Sequence, residues 1–390
     1  MRLFQTVPLR TLTILFFVSC SIAPPLIGAS GVSDAAPTNT YWISPAMNFD
    51  AIMDSLPANA TIHLLGGTYE TTGCLGWGPK TGQTIIGAGI NSTTLRFPTR
   101  LDPKFKWLIE PHSPYHQTNI TVSDLTLDCN YQPGTLITLN GICLHGSGNT
   151  IERVRLVNAA SFTKSDRDYS ESFGIIIGKF PYPFATNNVV KDCIVSNYLC
   201  NYRNNLSAIG ITSDGGQILN NLVVSGGCNY VLATGCIGKG CLVSNNVTRG
   251  CKIGYHSDTS GGSTNLTVSH NEFLDCACAF FVANSTNYDL DFSSNNIVLS
   301  NDDPNFSTEG MFFCPPVAFT NIVVVGNSVS LGPLNLKNGA PTPGVNFIRA
   351  NNVSGLNIHD NSVAAGLRSV FVNCAGMTTN NSGPPPRPNP

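Results

Sequence analysis

One pattern of apolar and polar positions recurs along the chain: two alternating apolar residues, a polar pair ending in asparagine, and a return to alternating apolar residues. Six clear copies carry the asparagines Asn221, Asn246, Asn271, Asn296, Asn327 and Asn361, spaced by 25, 25, 25, 31 and 34 residues. Weaker copies place Leu125, Val154 and Cys193 at the same position. Short alternating stretches at this period, without apolar spacings of three and four, predict the coils of a parallel β-helix and not a helical repeat.

The recurring asparagine is expected to occupy a tight bend between two strands of each coil. Asparagine tolerates left-handed backbone better than most residues. Coils stack about 4.8 Å apart, so these side chains are also expected to form a hydrogen-bonded ladder. Counting from the asparagines predicts inward pairs on the third strand of successive coils: Ile142 and Leu144, Ile175 and Ile177, Ile211 and Ser213, Tyr230 and Leu232, Tyr255 and Ser257, and Phe280 and Val282.

The two ends of the chain differ from this repeat. Residues 1–30 have basic residues, a short apolar run and small residues, as in a secretory signal peptide. Cys20 also lies in a sequence similar to a lipid-attachment site. Residues 377–390 are rich in proline and are expected to form a disordered tail. The sequence thus predicts a secreted or cell-surface protein with one β-helix domain over residues 38–376.

Several segments resemble the pectate-lyase-like superfamily of right-handed parallel β-helix proteins. Residues 56–73 (LPANATIHLLGGTYETTG), 84–96 (TIIGAGINSTTLR) and 119–128 (NITVSDLTLD) look like its opening coils. The segment around GYHSDT, residues 247–272, resembles the middle coils of uncharacterised bacterial members. The resemblance implies an all-β, single-stranded right-handed parallel β-helix of about 10 coils. It also implies a short N-terminal capping helix, for which residues 47–56 (MNFDAIMDSL) have the apolar spacing.

Charge and cysteine content narrow the function classes. Only 44 of 390 residues are charged, whereas 41 are asparagine, and the net charge of −2 includes no basic cluster that would predict a nucleic-acid partner. No segment after residue 30 is apolar for long enough to span a membrane. We expect a monomer.

Stacked cysteines such as Cys251 and Cys276 are expected within disulfide range, and zinc is not expected because the sequence has no paired CxxC units.

The resemblance implies a groove on the outer face of the third strands, with polysaccharide as the partner. The outward side chains that we predict to be catalytic are Asp214, His256, Asp258, His145 and Lys179. The predicted substrate-binding residues are Lys164, Arg167 and Asp168 in the charged loop 161–172, and the aromatic residues Tyr182 and Phe281. Asp214 and Asp258 lie in the similar segments GITSDGG and GYHSDTSGG. We therefore expect them at the same position of two coils that are two repeats, or about 9.6 Å, apart.

Two reaction types and a binding role stay open at this level. Carboxylates at that separation would suit an inverting glycoside hydrolase. Alternatively, they would hold Ca²⁺, the one cofactor considered, while His256 or Lys179 removes a proton in a lyase reaction. The sequence lacks the motifs of polygalacturonases, pectate lyases and pectin methylesterases. A non-catalytic carbohydrate-binding or cell-surface adhesion protein is therefore the alternative.

Overall fold

Short parallel strands dominate the structure, a computed structural model of the 390-residue chain. It describes residues 39–100, 102, 106–112, 117–164, 172–178, 185–200, 206–225, 231–257, 262–283, 287–300, 308–314, 318–337, 340–341 and 344–382. Each strand pairs with the equivalent strand of the next coil, so the strands form three stacks along the chain. The predicted signal peptide, Cys20 and the last eight residues lie outside the described residues.

The first stack contains the strands that open each coil. They are Thr40–Ile43, Thr61–Leu64, Thr84–Gly87, Thr121–Asp128, Thr150–Val157, Val189–Lys191, Gln217–Leu219, Leu242–Ser244, Ser263–Ser269, Asn287–Ser293, Phe319–Val325, Val353–Val363 and Thr378–Ser382. The last of these pairs with Val353–Val363, so the β-helix continues beyond the expected boundary at residue 376.

The second stack follows the bend that carries the asparagine repeat. It comprises Gly67–Glu70, Thr93–Arg96, Ile194–Ser196, Leu222–Val224, Val247–Arg249, Glu272–Cys276, Asn296–Leu299 and Ser328–Leu331, and the C-terminal halves of the three longest first-stack strands.

The third stack is a separate sheet that completes each coil. Its ten strands are Trp107–Ile109, Thr138–Leu144, Ser172–Ile177, Leu206–Thr212, Val231–Lys239, Ile253–Ser257, Cys278–Val282, Glu309–Phe313, Asn346–Asn351 and Arg368–Val372. The first stack has thirteen described strands, so the described part of the β-helix contains more coil openings than the predicted ten. Short strands outside the stacks are Ala160–Ser161, Leu199–Cys200, Leu336–Lys337 and Ala340–Pro341.

One α-helix, Phe49–Ser55, covers the N-terminal end of the core, as the apolar spacing predicts. The Asn48 side chain caps it by accepting a hydrogen bond from the amide of Ala51. Phe49 and Met53 are buried on its inner face. Two 3₁₀ turns, Gly73–Leu75 and Pro333–Asn335, are the other helical elements that the structure describes. No helix in the described segments is long and apolar enough to cross a membrane.

The asparagine ladder forms as predicted at five of the six positions. The Oδ1 atom of Asn271 accepts hydrogen bonds from both the amide and the side-chain Nδ2 of Asn246, at 2.9 Å each. Asn295 and not Asn296 makes the next contact, accepting two hydrogen bonds from Asn271. Asn296 is exposed, so its assignment to the ladder was wrong by one residue. The weaker copies are confirmed, because the amide of Cys193 donates to Asn221 Oδ1.

The left-handed residue of the bend is not the ladder asparagine itself. Positive φ angles fall one residue earlier, at Asn220 (56°), Asn245 (57°), His270 (57°) and Ser294 (55°). The residue before each ladder asparagine therefore adopts the left-handed backbone conformation. The ladder asparagine itself directs its side-chain amide inward, where it makes hydrogen bonds to buried backbone groups. In this coil Ser294 has the left-handed backbone, so the residue after it, Asn295, occupies the ladder position. Asn296 comes one residue too late to join the ladder.

Aromatic rings fill the core of the later coils. Phe280 is fully buried and packs against Phe273, Phe292 and Tyr255, with ring centroids 4.9, 4.8 and 6.5 Å away. The register confirms the inward pairs Tyr255 with Ser257 and Phe280 with Val282.

The sequence count misplaces Ser213 and Leu232 in two earlier coils, and Tyr230, the predicted partner of Leu232, lies outside the described residues. Ile209 and Ile211 continue Ile175 and Ile177, and Thr234 and Cys236 follow them. Ser213 therefore lies beyond the predicted pair, and Leu232 packs in a separate cluster with Ile253 and Cys278. Counting from the ladder fails here because the connection between the second and third strands varies in length.

The cysteines are mostly buried free thiols. Cys251 and Cys276 are both buried in the core, as predicted, and neither is disulfide-bonded. Burial raises the pKa of the Cys276 thiol to about 11, and it raises that of Cys251 as well. Cys200 is disulfide-bonded, and its partner lies outside the described residues.

Candidate functional site

The outer face of the third stack carries one outward position per coil, which we call the outer row. The strand register and the alternation of inward and outward side chains identify the residue at this position in each coil. Its members are Glu110, Cys143, Ile176, Gly210, Gly235, His256, Phe281, Phe312 and Arg349.

The C-terminal half of the outer row is aromatic and partly exposed. The rings of Phe281 and Phe312 meet edge to face with centroids 5.5 Å apart, and the Arg349 guanidinium lies 5.6 Å from the centre of the Phe312 ring. Arg349 also pairs with the buried carboxylate of Glu309 at 3.1 Å. This ion pair fixes the guanidinium over the ring, so the surface is a rigid apolar strip that ends in a cation.

Two glycines interrupt the row directly before His256. A Cβ atom on Gly235 would lie 3.0 Å from His256 Nε2, so the imidazole extends over the Gly235 backbone. A Cβ atom on Gly210 would lie 2.8 Å from Ile176 Cδ1. The two glycines thus leave room for the neighbouring Ile176 and His256 side chains, which cover the strand backbone at these positions.

The N-terminal half of the row contains a compact group of sulfur, nitrogen and oxygen donors. Cys143 Sγ lies 3.6 Å from His145 Nε2, and Glu110 Oε1 lies 3.8 Å from the same nitrogen. Asn149 Nδ2 donates a hydrogen bond to the His145 carbonyl at 2.9 Å, which holds the turn after the strand. Cys74 packs beside the group, together with Trp107 and Ile176.

The structure separates the histidines that the sequence analysis places in one groove. Both face outward, but His145 lies four coils before His256, which is about 19 Å along the stack at the usual strand spacing. Phe281 is next to His256 in the row, as predicted. Lys164 is exposed at the edge of its loop. Two distinct clusters therefore replace the single expected site.

The strand register moves Asp214 away from its predicted column. Gly210, and not Thr212, occupies the position of His256 in the outer row, so Asp214 follows its outer-row residue by four positions. Asp214 lies in the turn to the next coil, where Oδ1 accepts a hydrogen bond from the Lys239 amide at 2.8 Å. Asp258 lies outside the described residues, so the expected pairing of the two carboxylates stays a prediction.

Five predicted site residues lie outside the described residues, and their roles stay predictions. They are Asp258, Lys179, Arg167, Asp168 and Tyr182.

The sequence analysis also missed four residues of these two clusters: Cys74, Glu110, Phe312 and Arg349. The Cys-x-His spacing at residues 143 and 145 was a usable signal for the first cluster. Phe312 and Arg349 follow long connections that break the 25-residue period, so counting did not reach them.

Comparison with known proteins identifies the fold. No family model matches the chain, and no curated protein does. Among solved structures, the DFA-IIIase of Arthrobacter chlorophenolicus A6 without its lid, in complex with GF2, superposes with a TM-score of 0.62 at 14% identity, covering 89% of this chain and 99% of that one. A tailspike protein mutant of E. coli bacteriophage HK620, in complex with a pentasaccharide, gives 0.61 at 13% identity, over 82% of this chain and 60% of that one. The protein thus has the right-handed parallel β-helix fold.

Proposed function

We propose that the protein binds a polysaccharide along the outer face of its third stack and acts on it there. The observation that carries this proposal is the partly exposed strip of His256, Phe281, Phe312 and Arg349. The Phe281 and Phe312 rings, on neighbouring coils with centroids 5.5 Å apart, offer apolar surface for successive sugar rings. The guanidinium adds hydrogen-bond donors for hydroxyl or carboxylate groups. The HK620 tailspike, solved with a pentasaccharide, supports the use of this fold for such ligands.

His256 is the acid–base group that we propose for the reaction. Histidine is the side chain that most often serves in general acid–base catalysis, and this imidazole lies over the Gly235 backbone and next to Phe281 in the outer row. In a lyase reaction it would remove the proton next to a uronate carboxylate. In a hydrolase it would need a carboxylate partner, and Asp258, two residues later on the chain, stays the predicted partner. Secretion, with or without a lipid anchor at Cys20, is part of the same proposal.

The described residues do not themselves offer a Ca²⁺ site. The one group of three potential ligands that they form is Glu110, Cys143 and His145. Ca²⁺ binds oxygen ligands, so sulfur and imidazole donors do not suit it. A Ca²⁺-assisted lyase would therefore have to use carboxylates outside the described segments, and the proposal does not depend on the ion.

A binding protein without catalysis is the second candidate. The carboxylates near the strip that the structure describes are already engaged: Asp214 with the Lys239 amide, and Glu309 with Arg349. A hydrolase needs a carboxylate that is free to exchange a proton or activate water. This observation favours recognition without turnover, and the same experiment separates the two candidates.

The Phe281→Ala variant is expected to weaken glycan binding at least tenfold, which corresponds to about 1.4 kcal/mol. An array of uronate, neutral-glycan and mucin-type polysaccharides, probed with the full chain, identifies the ligand. Tyr288→Ala is the matched control, because Tyr288 is an exposed aromatic residue on the first stack. Equal binding by the two variants, or no binding by the unaltered protein, would contradict the proposal.

The His256→Gln variant is expected to retain glycan binding and lose turnover. Ultraviolet absorbance of an unsaturated uronide would indicate a lyase, and new reducing ends without that absorbance would indicate a hydrolase. Turnover that survives in His256→Gln would reject the assignment of His256. Binding without turnover by the unaltered protein would identify the second candidate.

A further inference from the structure

A second cluster of reactive side chains lies at the N-terminal end of the outer row, apart from the aromatic strip. Glu110 follows the strand Trp107–Ile109, and Cys143 and His145 occupy alternate positions at the end of the neighbouring strand. Alternate positions on a strand point to the same face. Cys143 is fully buried, and the side chain of His145 is 5% exposed. The fold therefore brings three polar side chains into an enclosed place.

The distances between these side chains match the edges of a metal coordination polyhedron. The pairs Cys143 Sγ with His145 Nε2 and His145 Nε2 with Glu110 Oε1 are 3.6 and 3.8 Å apart, and all three donor atoms lie within 4.8 Å of one another. A tetrahedral zinc site with bonds of about 2.0–2.3 Å has donor–donor edges of about 3.3–3.8 Å. The donors thus need little movement to share one ion.

The same geometry argues against a cysteine nucleophile with a histidine base. In a catalytic triad one ring nitrogen faces the nucleophile and the other faces the carboxylate. Here the thiol of Cys143 and the carboxylate of Glu110 both approach Nε2 of His145. Convergence of sulfur and oxygen around one nitrogen suits a shared cation, because a metal ion accepts a lone pair from each donor.

The surroundings of the three side chains form a rigid support. Cys74 packs against the cluster that contains Cys143. Trp107 and Ile176 pack around the group and limit access of water. The hydrogen bond from Asn149 to the His145 carbonyl fixes the backbone that carries the imidazole. Such outer contacts tune the affinity of metal sites.

We propose that Glu110, Cys143 and His145 bind one divalent transition-metal ion of the zinc class, with the fourth coordination position taken by water. Thiolate and imidazole ligands favour zinc over calcium or magnesium. On binding, the Cys143 thiol releases its proton to the solvent, and the metal–sulfur bond replaces the sulfur–hydrogen bond. The ion would join residues from separate coils at the N-terminal end of the β-helix. This site is independent of the proposed glycan strip, about 19 Å away.

Cobalt spectroscopy on the full chain tests the site. The protein is purified under reducing conditions, freed of metal with a chelator and titrated with Co²⁺. We expect one equivalent to produce a thiolate-to-cobalt charge-transfer band with the visible bands of tetrahedral coordination, and Zn²⁺ to displace them. We also expect added Zn²⁺ to raise the melting temperature, because a ligand that binds only the folded state stabilises it.

Variants distinguish this site from the other thiols of the chain. Cys143→Ser and His145→Gln are each expected to lower metal affinity at least tenfold, since even the loss of an outer contact costs about 10–100-fold. Cys314→Ser, in a half-buried thiol at the end of a later third-stack strand, is the matched control and should bind normally. Glu110→Gln keeps the side-chain shape, so it should retain the charge-transfer band with weaker affinity even if the other variants fold poorly. The absence of the band in the unaltered protein, or unchanged affinity in Glu110→Gln and every foldable ligand variant, would overturn the proposal.

Discussion

Replacing Asn271 with alanine is expected to lower the free energy of unfolding by about 3–6 kcal/mol, because each buried group left without a partner costs about 1–3 kcal/mol. The Asn271 Nδ2 atom donates to the carbonyls of Val243 and Ser269 and to Asn295 Oδ1. Its Oδ1 accepts from the amide and side chain of Asn246. All these contacts lie inside the bend, where water does not replace them. Chemical denaturation monitored by circular dichroism measures the effect.

Asn296→Ala is the matched control for the ladder. Asn296 is adjacent to the ladder residue Asn295 but is exposed, so its replacement should change the unfolding free energy by less than about 0.5 kcal/mol. Repeat proteins can unfold in parts, so hydrogen exchange at the coils on either side of residue 271 provides a local measurement. Similar losses for the two variants would contradict a specific role for the ladder.

Replacing Phe280 with alanine is expected to destabilise the protein by about 3–5 kcal/mol, the usual cost of removing a buried phenylalanine ring. Phe280 is fully buried and has three aromatic neighbours from this coil and the adjacent coils. Removing the Phe280 ring would leave a cavity. The neighbouring aromatic rings cannot readily move into it, because their backbones are held in hydrogen-bonded strands. The shift of the denaturation midpoint, with the slope unchanged, reports the loss.

Phe280→Leu separates the cavity from the loss of aromatic contacts. Leucine retains most of the apolar volume, so its cost should be well below that of alanine. Tyr288→Ala, at an exposed ring on the first stack, should cost less than about 0.5 kcal/mol. A Phe280→Ala variant as stable as Tyr288→Ala would show that the core closes around the missing ring.

The two outer-row clusters have different physical characters, which allows their functions to be tested separately. The aromatic strip is partly exposed and rigid, as a surface for an extended ligand should be. The group of Glu110, Cys143 and His145 is largely buried and combines a carboxylate, a thiol and an imidazole. Glycan binding should therefore respond to Phe281→Ala and not to Glu110→Gln, and metal binding should show the opposite response.

Local patterns allowed much of the fold to be predicted. The capping helix was recognisable because Phe49, Met53 and Leu56 recur at helical spacing. The ladder was recognisable because its buried amide must satisfy backbone groups in every coil, and few other side chains can do so. The error at Asn296 arose because the adjacent residues Asn295 and Asn296 both match the repeat pattern. Only the left-handed backbone at Ser294 distinguishes them.

The candidate site was predicted less well because it depends on register between coils. His145, His256 and Phe281 were found as outward residues, since alternation on a strand is a local property. Asp214 was misplaced because connections of unequal length shift the column by two residues. Glu110 and Cys74 precede Cys143 by 33 and 69 residues in the sequence, and their approach follows only from the stacking of coils.

The amino-acid sequence by itself determined the coil and the inward face of strands such as Cys278–Val282, because these depend on alternation and on turn residues within a few positions. The tertiary structure alone decided which outward side chains of different coils lie together. The loops that connect the strands differ in length, and together they set the register between coils. A local sequence pattern does not encode their combined effect. The aromatic strip and the group of Glu110, Cys143 and His145 are consequences of that stacking.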